Sequence, residues 1–286
     1  MASCCAIDYQ GRFRRAALAL NVPEDEISRF VKHLRLSTGL CGGSGGVPVG
    51  RFGGSPPLPV GRDRPSHRGS RLPFVFSVNC AKPPKVDGSL LFFLDHEAGR
   101  VEGDRGYACV VYVPVGTGTA VAESPDSELV GKQYDLSATL LAEPPDWFPP
   151  HDEDEEDLSP FQRQPARDLE RDMPHLDELR AVAYDLWPPD EGLASTYIGG
   201  YVDDEVITSI AEQTLAEREK AGEIVIPMGK WYSHVEKEKH RLTSEWMSLA
   251  CFPVADEFYS GSFVIRYDDL AAGRLDKAYS VTEFSE

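Results

Sequence analysis

The chain has 286 residues, of which 41% are hydrophobic and 10% aromatic, and a formal net charge of −18 at pH 7. This length predicts one large domain or two small ones, and the apolar share argues against global disorder. No apolar run approaches the roughly 18 residues of a membrane span, and the negative charge disfavours nucleic acid and bilayer surfaces while it favours basic protein partners.

The N-terminal stretch MASCCAIDYQGRFRRAALAL lacks a basic segment followed by an unbroken apolar run, so we expect no signal peptide and a cytoplasmic location. No C-x-x-C spacing or Cys/His cluster is present, so we expect free thiols and neither a metal nor a cofactor. The cysteines are Cys4, Cys5, Cys41, Cys80, Cys109 and Cys251.

An N-terminal helical segment is predicted over residues 1–38. In VPEDEISRFVKHLR, an apolar stripe at helical spacing is formed by Ile27, Phe30, Val31 and Leu34. An earlier helix around 13–20 pairs with it, and together they would form a helical cap on a larger structure.

Residues 39–73 are rich in glycine and proline, which predicts a loop. A phosphate-binding loop would need a Lys-Ser or Lys-Thr pair, or a glycine motif that follows a strand and opens a helix. Neither context is present, so we interpret the stretch as a structural loop, in which the glycines of RFGGSPPLP mark a turn and TGLCGGSGG is assigned no role.

Strand patterns dominate the rest of a first β-rich unit, residues 39–142. The runs LPFVFSVNC, SLLFFLD and YACVVYVP are short and apolar. KQYDLSATLLAE alternates, with Tyr134, Leu136, Ala138 and Leu140 on one face, which predicts a half-buried strand of an antiparallel sheet.

Residues 143–175 are acidic and proline-rich, so we expect an exposed connector. A second β-rich unit, residues 176–286, follows. Helices are expected over 175–187 and 203–221, and strands at EIVIPM, WMSLACF and SFVIRYD. The fold class predicted is α+β.

The two halves resemble each other. The first reads FGG, FVFSVNC and GSLLFFLDHEAGR, and the second reads IGG, EWMSLACF and GSFVIRYDDLAAGR in the same order, so that Gly88 matches Gly261 and Asp95 matches Asp268. This order predicts an internal duplication, in which two tandem related antiparallel units pack together.

The stretches RFGGSPPLP, FVFSVN with GSLLFFLD, IGGY, EWMSLACF and GSFVIRYDDLAAGRLDKAYSV resemble the YwqG-like family, a bacterial domain of unknown function. The resemblance covers about residues 40–284. The chain departs from the family at Ser77 and at Cys251 or Ala250, where glutamine is usual. The resemblance implies an α+β fold and no established reaction, and members are similar to proteins proposed as immunity partners of toxins.

The sequence contains no motif for catalysis or metal binding that we can assign. H-E-x-x-H and G-x-S-x-G are absent, and HDEDEEDLSP lacks the glycine of a calcium loop. In WYSHVEKEKHR, His234 and Glu238 share a helical face, which favours a solvated charged surface. No catalytic residue is therefore predicted.

The predicted partner-binding region is the acidic stretch with its two preceding aromatic residues, because aromatic anchors and charge complementarity favour contact with a basic surface. It comprises Trp147, Phe148, Asp152, Glu153, Asp154, Glu155, Glu156 and Asp157. The sequence predicts a non-enzymatic protein-binding protein, and the YwqG-like resemblance implies an immunity protein that neutralises a toxin, which the acidic charge would favour if the toxin is basic. The alternatives are a small-molecule binder or enzyme with a cleft between the β units, and a scaffold that uses the N-terminal helices.

Overall fold

A computed structural model describes residues 4–42, 47–80, 88–96, 106–121, 133–144, 160–186, 196–254 and 259–284. The chain divides into a first compact unit of residues 1–37, 140–189 and 200–247, and a second of residues 38–139, 190–199 and 248–286. These units interleave along the chain, whereas the segments predicted from the sequence follow one another and rest on a predicted internal repeat. The compact units therefore describe which residues pack together, and the predicted segments describe the order of sequence patterns along the chain.

The first unit contains six helices within the described residues. They are α1 (Cys4–Ala19), α2 (Glu24–Phe30), α3 (Pro160–Asp172), α4 (Leu176–Asp185), α5 (Asp204–Lys220) and α6 (Trp231–Glu245). The predicted helices at 13–20, 175–187 and 203–221 are confirmed. The predicted helix over VPEDEISRFVKHLR ends early, at Phe30, because strand β1 begins at Arg35.

One apolar cluster joins helices α1 to α4. Phe13 and Phe30 stack with their ring centroids 5.3 Å apart, and Ile27 is fully buried beside them. Helix α3 lies inside the stretch 143–175, so part of the connector that is predicted to be exposed is helical and partly buried. The helix forms because Leu169 gives it an apolar face to bury in this cluster.

Fourteen strands lie wholly or mainly in the second unit, within the described residues. They are β1 (Arg35–Gly42), β2 (Pro48–Phe52), β3 (Pro57–Pro59), β4 (Ser66–His67), β5 (Ser70–Arg71), β6 (Phe74–Asn79), β7 (Gly88–Leu94), β8 (Ala108–Pro114), β9 (Thr119–Val121), β10 (Tyr134–Glu143), β11 (Thr196–Gly199), β12 (Trp246–Val254), β13 (Tyr259–Arg266) and β14 (Tyr279–Phe284). A short helix, α7 (Tyr267–Ala271), follows β13.

Ten of these strands form one antiparallel sheet in the order β14-β13-β12-β11-β1-β10-β2-β6-β7-β8, which confirms the α+β class. The pairs β3-β9 and β4-β5 form two smaller sheets. The strands predicted at β6, β7, β8, β10, β12 and β13 are confirmed. The strand predicted at EIVIPM is wrong, because residues 223–228 form the loop between α5 and α6.

The prediction of a loop over residues 39–73 is also wrong, since β2 to β5 and the end of β1 lie there. Gly50 explains why glycine occurs in β2: a Cβ at Gly50 would lie 2.1 Å from the carbonyl oxygen of Ser77 in β6. The glycine thus permits a close approach of β2 and β6. A rule based on glycine content alone assigns the same residue to a turn.

Aromatic side chains fill the concave side of the ten-stranded sheet. The Phe92 ring lies 4.4 Å from that of Phe76 and 5.3 Å from that of Phe263, measured between centroids. The Tyr107 hydroxyl, just before β8, donates a hydrogen bond of 2.6 Å to the carbonyl oxygen of Ser280 in β14. Because β8 and β14 are the two ends of the strand order, the sheet curls until its ends meet.

Candidate functional site

The loop between α5 and α6 exposes a group of apolar side chains. We call residues 221–232 the hairpin tip. Val225 is 85% exposed, Tyr232 is 80% exposed and Met228 is fully exposed, while Ile224 and Ile226 are half-buried between them. Adjacent exposed apolar side chains of this size are typical of an interaction surface.

Hydrogen bonds within the chain hold the hairpin tip in a defined conformation. The Glu219 carbonyl oxygen accepts from the Gly222 N–H at 2.9 Å, and its carboxylate Oε1 accepts from the Ile226 N–H at 3.2 Å. The Lys230 N–H donates to the Pro227 carbonyl oxygen at 3.0 Å. A loop ordered in this way loses less conformational entropy when a partner binds it.

The two helices that carry the tip are fixed to each other along their length. Helix α5 begins at the N-cap Asp203, whose Oδ1 accepts from the Glu205 N–H at 2.9 Å. Lys239 of α6 lies 2.8 Å from Asp204 Oδ2 and 3.4 Å from Glu236 Oε1. The apolar residues buried on the two helices are Val206, Ile207, Ile210, Ala211, Leu215, Val235 and Leu242.

The base of the hairpin is anchored by Arg35. The Arg35 guanidinium lies 4.0 Å from the centre of the Tyr201 ring, and its Nη2 donates to the Thr243 carbonyl oxygen at 2.9 Å. The Tyr201 hydroxyl donates to the His33 carbonyl oxygen at 2.7 Å. Arg35 therefore joins the end of α6 to the segment that precedes α5.

A buried carboxylate, that of Glu143, lies next to this anchor. It accepts hydrogen bonds from the Ser37 hydroxyl and from the Tyr201 backbone N–H. Burial raises the pKa of Glu143, and the two hydrogen bonds partly oppose this increase. A Cβ at Gly200 would lie 2.5 Å from Glu143 Oε2, so glycine is required beside the carboxylate. These contacts assign Glu143 a structural role.

A second buried carboxylate caps helix α4. Glu26 is 5% exposed, and its Oε2 accepts from the His175 backbone N–H at 3.0 Å, while Oε1 lies 3.1 Å from His175 Nδ1. Because His175 is the N-cap residue of α4, Glu26 supplies from another helix the hydrogen bond to the N-cap N–H that the third helical residue makes in a capping box. The buried position of Glu26 is therefore explained by its contribution to the stability of the fold.

The residues predicted to bind a partner, Trp147, Phe148 and Asp152 to Asp157, lie outside the described residues, as does His151, so that interpretation stays a prediction. In α6, Glu238 pairs with Arg241 Nη2 at 2.6 Å rather than with His234. Within the described ranges, no three His, Cys, Asp or Glu side chains are grouped to hold a metal ion.

The structure confirms the prediction of free thiols for Cys41, Cys80, Cys109 and Cys251. Burial raises the pKa of the Cys80 thiol to about 11, which leaves it protonated at neutral pH and a weak nucleophile. Cys4 and Cys5 lie in the first turn of α1.

Sequence reasoning missed the hairpin tip. EIVIPM has the β-branched composition of a strand, but it is bracketed by glycines with φ of 73° at Gly222 and 77° at Gly229. The sequence did contain a signal for a loop. A glycine lies on each side of this short apolar run, and the run lies between two helical patterns.

A scan against protein-family models finds no match to this chain, and a search of curated proteins finds no relative. In the described part of the chain, no helix is both long enough and apolar enough to cross a membrane.

Proposed function

We propose that the chain is a non-enzymatic protein-binding protein and that the hairpin tip is its contact surface. The observation that carries the proposal is the exposure of Val225, Met228 and Tyr232 on a loop held by its own hydrogen bonds. Aromatic and methionine side chains are enriched at protein interfaces. A protruding tip fits a concave, apolar site on the partner.

The net charge of −18 favours a partner whose rim is basic. It also favours a protein over a bilayer, since anionic lipids would be repelled although Trp231 and Tyr232 are residue types common at membrane surfaces. A basic toxin neutralised by this chain is the partner that the YwqG-like resemblance supports. The acidic stretch 152–157 would then supply a second contact.

Site-specific photo-crosslinking in the native cell tests this proposal. A photoreactive phenylalanine analogue at position 232 should crosslink to a protein partner. The matched control is position 184 of the same unit, because Tyr184 is 82% exposed but lies on α4. Adding Val225→Ser and Met228→Ser should reduce the crosslinked yield at least about tenfold, as expected for interface hot spots.

Two results would contradict this assignment. One is an equal protein crosslink from positions 184 and 232, which would indicate random collision. The other is a crosslink from position 232 to lipid alone, which would make the tip a membrane contact.

We also propose that the ten-stranded sheet arose by duplication and shares the YwqG-like architecture, with α1 and α2 as an added cap. The strand order supports this, since β10-β2-β6-β7-β8 and β1-β11-β12-β13-β14 run outward from the centre in matching sequence. Positive φ values occur at Gly53 and Gly54 after β2, and at Gly199 and Gly200 by the end of β11. Residues 36–40 and 136–140 both read Leu-Ser-x-x-Leu.

In this arrangement the halves exchange their first strands, because β1 lies beside β11 and β10 lies beside β2. A protease site inserted between Pro150 and His151 should therefore yield two fragments that stay associated after cleavage. Size-exclusion chromatography with mass determination should give the mass of the intact chain. Separation of the fragments in native buffer would argue against the exchanged pairing.

A further inference from the structure

A short hairpin formed by β4 and β5 carries a positive charge that contrasts with the acidity of the chain. We call residues 62–71 the arginine hairpin. It contains Arg62, Arg64, Arg68 and Arg71 against a single acidic residue, Asp63. The segment thus has a formal net charge of +3, whereas the whole chain has a net charge of −18.

The backbone of the hairpin sets where these side chains lie. Ser66 pairs with Arg71, and His67 pairs with Ser70. The two residues of the turn, Arg68 and Gly69, have φ of 49° and 85°, the signs that a two-residue hairpin turn requires. Arg68 therefore lies at the end of the hairpin and Arg71 on its second strand.

Arg64 lies at the base of this hairpin, against its second strand. Arg64 is half-buried, and its Nε donates to the Leu72 carbonyl oxygen at 2.9 Å. Burial lowers the pKa of Arg64, and the charge of Arg71 lowers it further. The hairpin thus places Arg64 beside Leu72, the residue that follows Arg71.

Arg62 and Arg71 are both exposed, and neither has a carboxylate at ion-pair distance among the described residues. Guanidinium groups bind phosphate oxygens through two parallel hydrogen bonds. We propose that the arginine hairpin is a binding site for a small phosphate-bearing ligand, such as a polyphosphate or a nucleotide. The proposal is independent of the hairpin tip and its protein partner.

The charge distribution selects a small ligand over a macromolecule. At physiological ionic strength, electrostatic interactions are screened beyond about 8 Å, so a ligand of a few phosphates responds mainly to the local arginines. A nucleic acid or an acidic protein extends further and meets the negative remainder of the chain. Arg62 and Arg71 would supply the outer contacts, and Arg64 the inner one.

Calorimetric titration of the full chain with sodium tripolyphosphate at constant ionic strength tests the proposal. The wild type should bind it, and the Arg62→Gln/Arg71→Gln variant should bind at least about tenfold more weakly, as the loss of charge-assisted hydrogen bonds predicts. The matched control is Arg12→Gln/Arg15→Gln, which removes the same charge from exposed positions on α1. This control should change affinity by less than about twofold, because it removes the same total charge but leaves every arginine of the hairpin in place.

Three results would overturn the assignment. The first is no binding heat from the wild type, and the second is an equal loss of affinity in the two double variants. The third is equal affinity for a tetraglutamate peptide, which would indicate unspecific attraction of anions. Both double variants alter exposed side chains, so circular dichroism should show native folds in each.

Discussion

Phe92→Ala should lower the free energy of unfolding by about 3–5 kcal/mol, the range for deleting a buried phenylalanine ring. Phe92 is 0% exposed, and its ring contacts those of Phe76, Phe252 and Phe263 at centroid distances of 4.4 to 6.5 Å. These rings belong to strands from both halves of the chain. The sheet is closed on itself around them, so the cavity left by the substitution cannot collapse easily.

Urea denaturation followed by circular dichroism measures this loss. Phe92→Leu serves as a graded control, since it keeps most of the apolar volume and should cost less than the alanine substitution. Tyr184→Ala removes a ring that is 82% exposed and should stay within about 0.5 kcal/mol of the wild type. A loss below about 1 kcal/mol for Phe92→Ala would mean that this cluster is not the core of the sheet.

The elements that sequence reasoning located correctly are those whose local pattern agrees with the tertiary structure. Strands β6 and β7 are buried on both faces and read as continuous apolar runs, and α5 has an apolar stripe with an Asp203 cap. Strand β2 was missed because Gly50 serves a contact with β6 that local composition does not reveal. Secondary-structure propensity is a property of a single segment, whereas the close approach of two strands depends on both of them.

The candidate sites were harder to predict for a related reason. Whether Val225 and Met228 are exposed depends on how the rest of the chain packs around them. A sequence pattern shows only that the two residues are apolar. The arginine hairpin is visible as a run of charge, but the contact of Arg64 with the Leu72 carbonyl oxygen, next to Arg71, forms only after folding. Glu26 and Glu143 look like surface residues, because their partners His175 and Ser37 are distant in sequence.

Gly200→Ala should destabilise the protein by about 2–5 kcal/mol through two separate effects. Gly200 has φ of 86°, where a side chain adds roughly 1–2 kcal/mol of backbone strain. The new Cβ would also lie 2.5 Å from Glu143 Oε2 and 3.1 Å from the Ser37 Cβ. Displacing the carboxylate would break its buried hydrogen bonds, a loss of about 1–3 kcal/mol.

Gly222→Ala separates the two effects, since Gly222 has φ of 73° but nothing lies within 4 Å of its Cβ position. This variant should show the backbone strain alone, about 1–2 kcal/mol, by thermal or urea unfolding. A double-mutant cycle with Glu143→Ala isolates the clash with the carboxylate, because Gly200→Ala should then cost little more than Gly222→Ala, the remainder being the contact with the Ser37 Cβ. If Gly200→Ala in the otherwise native chain costs no more than Gly222→Ala, the Glu143 carboxylate does not hold this turn in place.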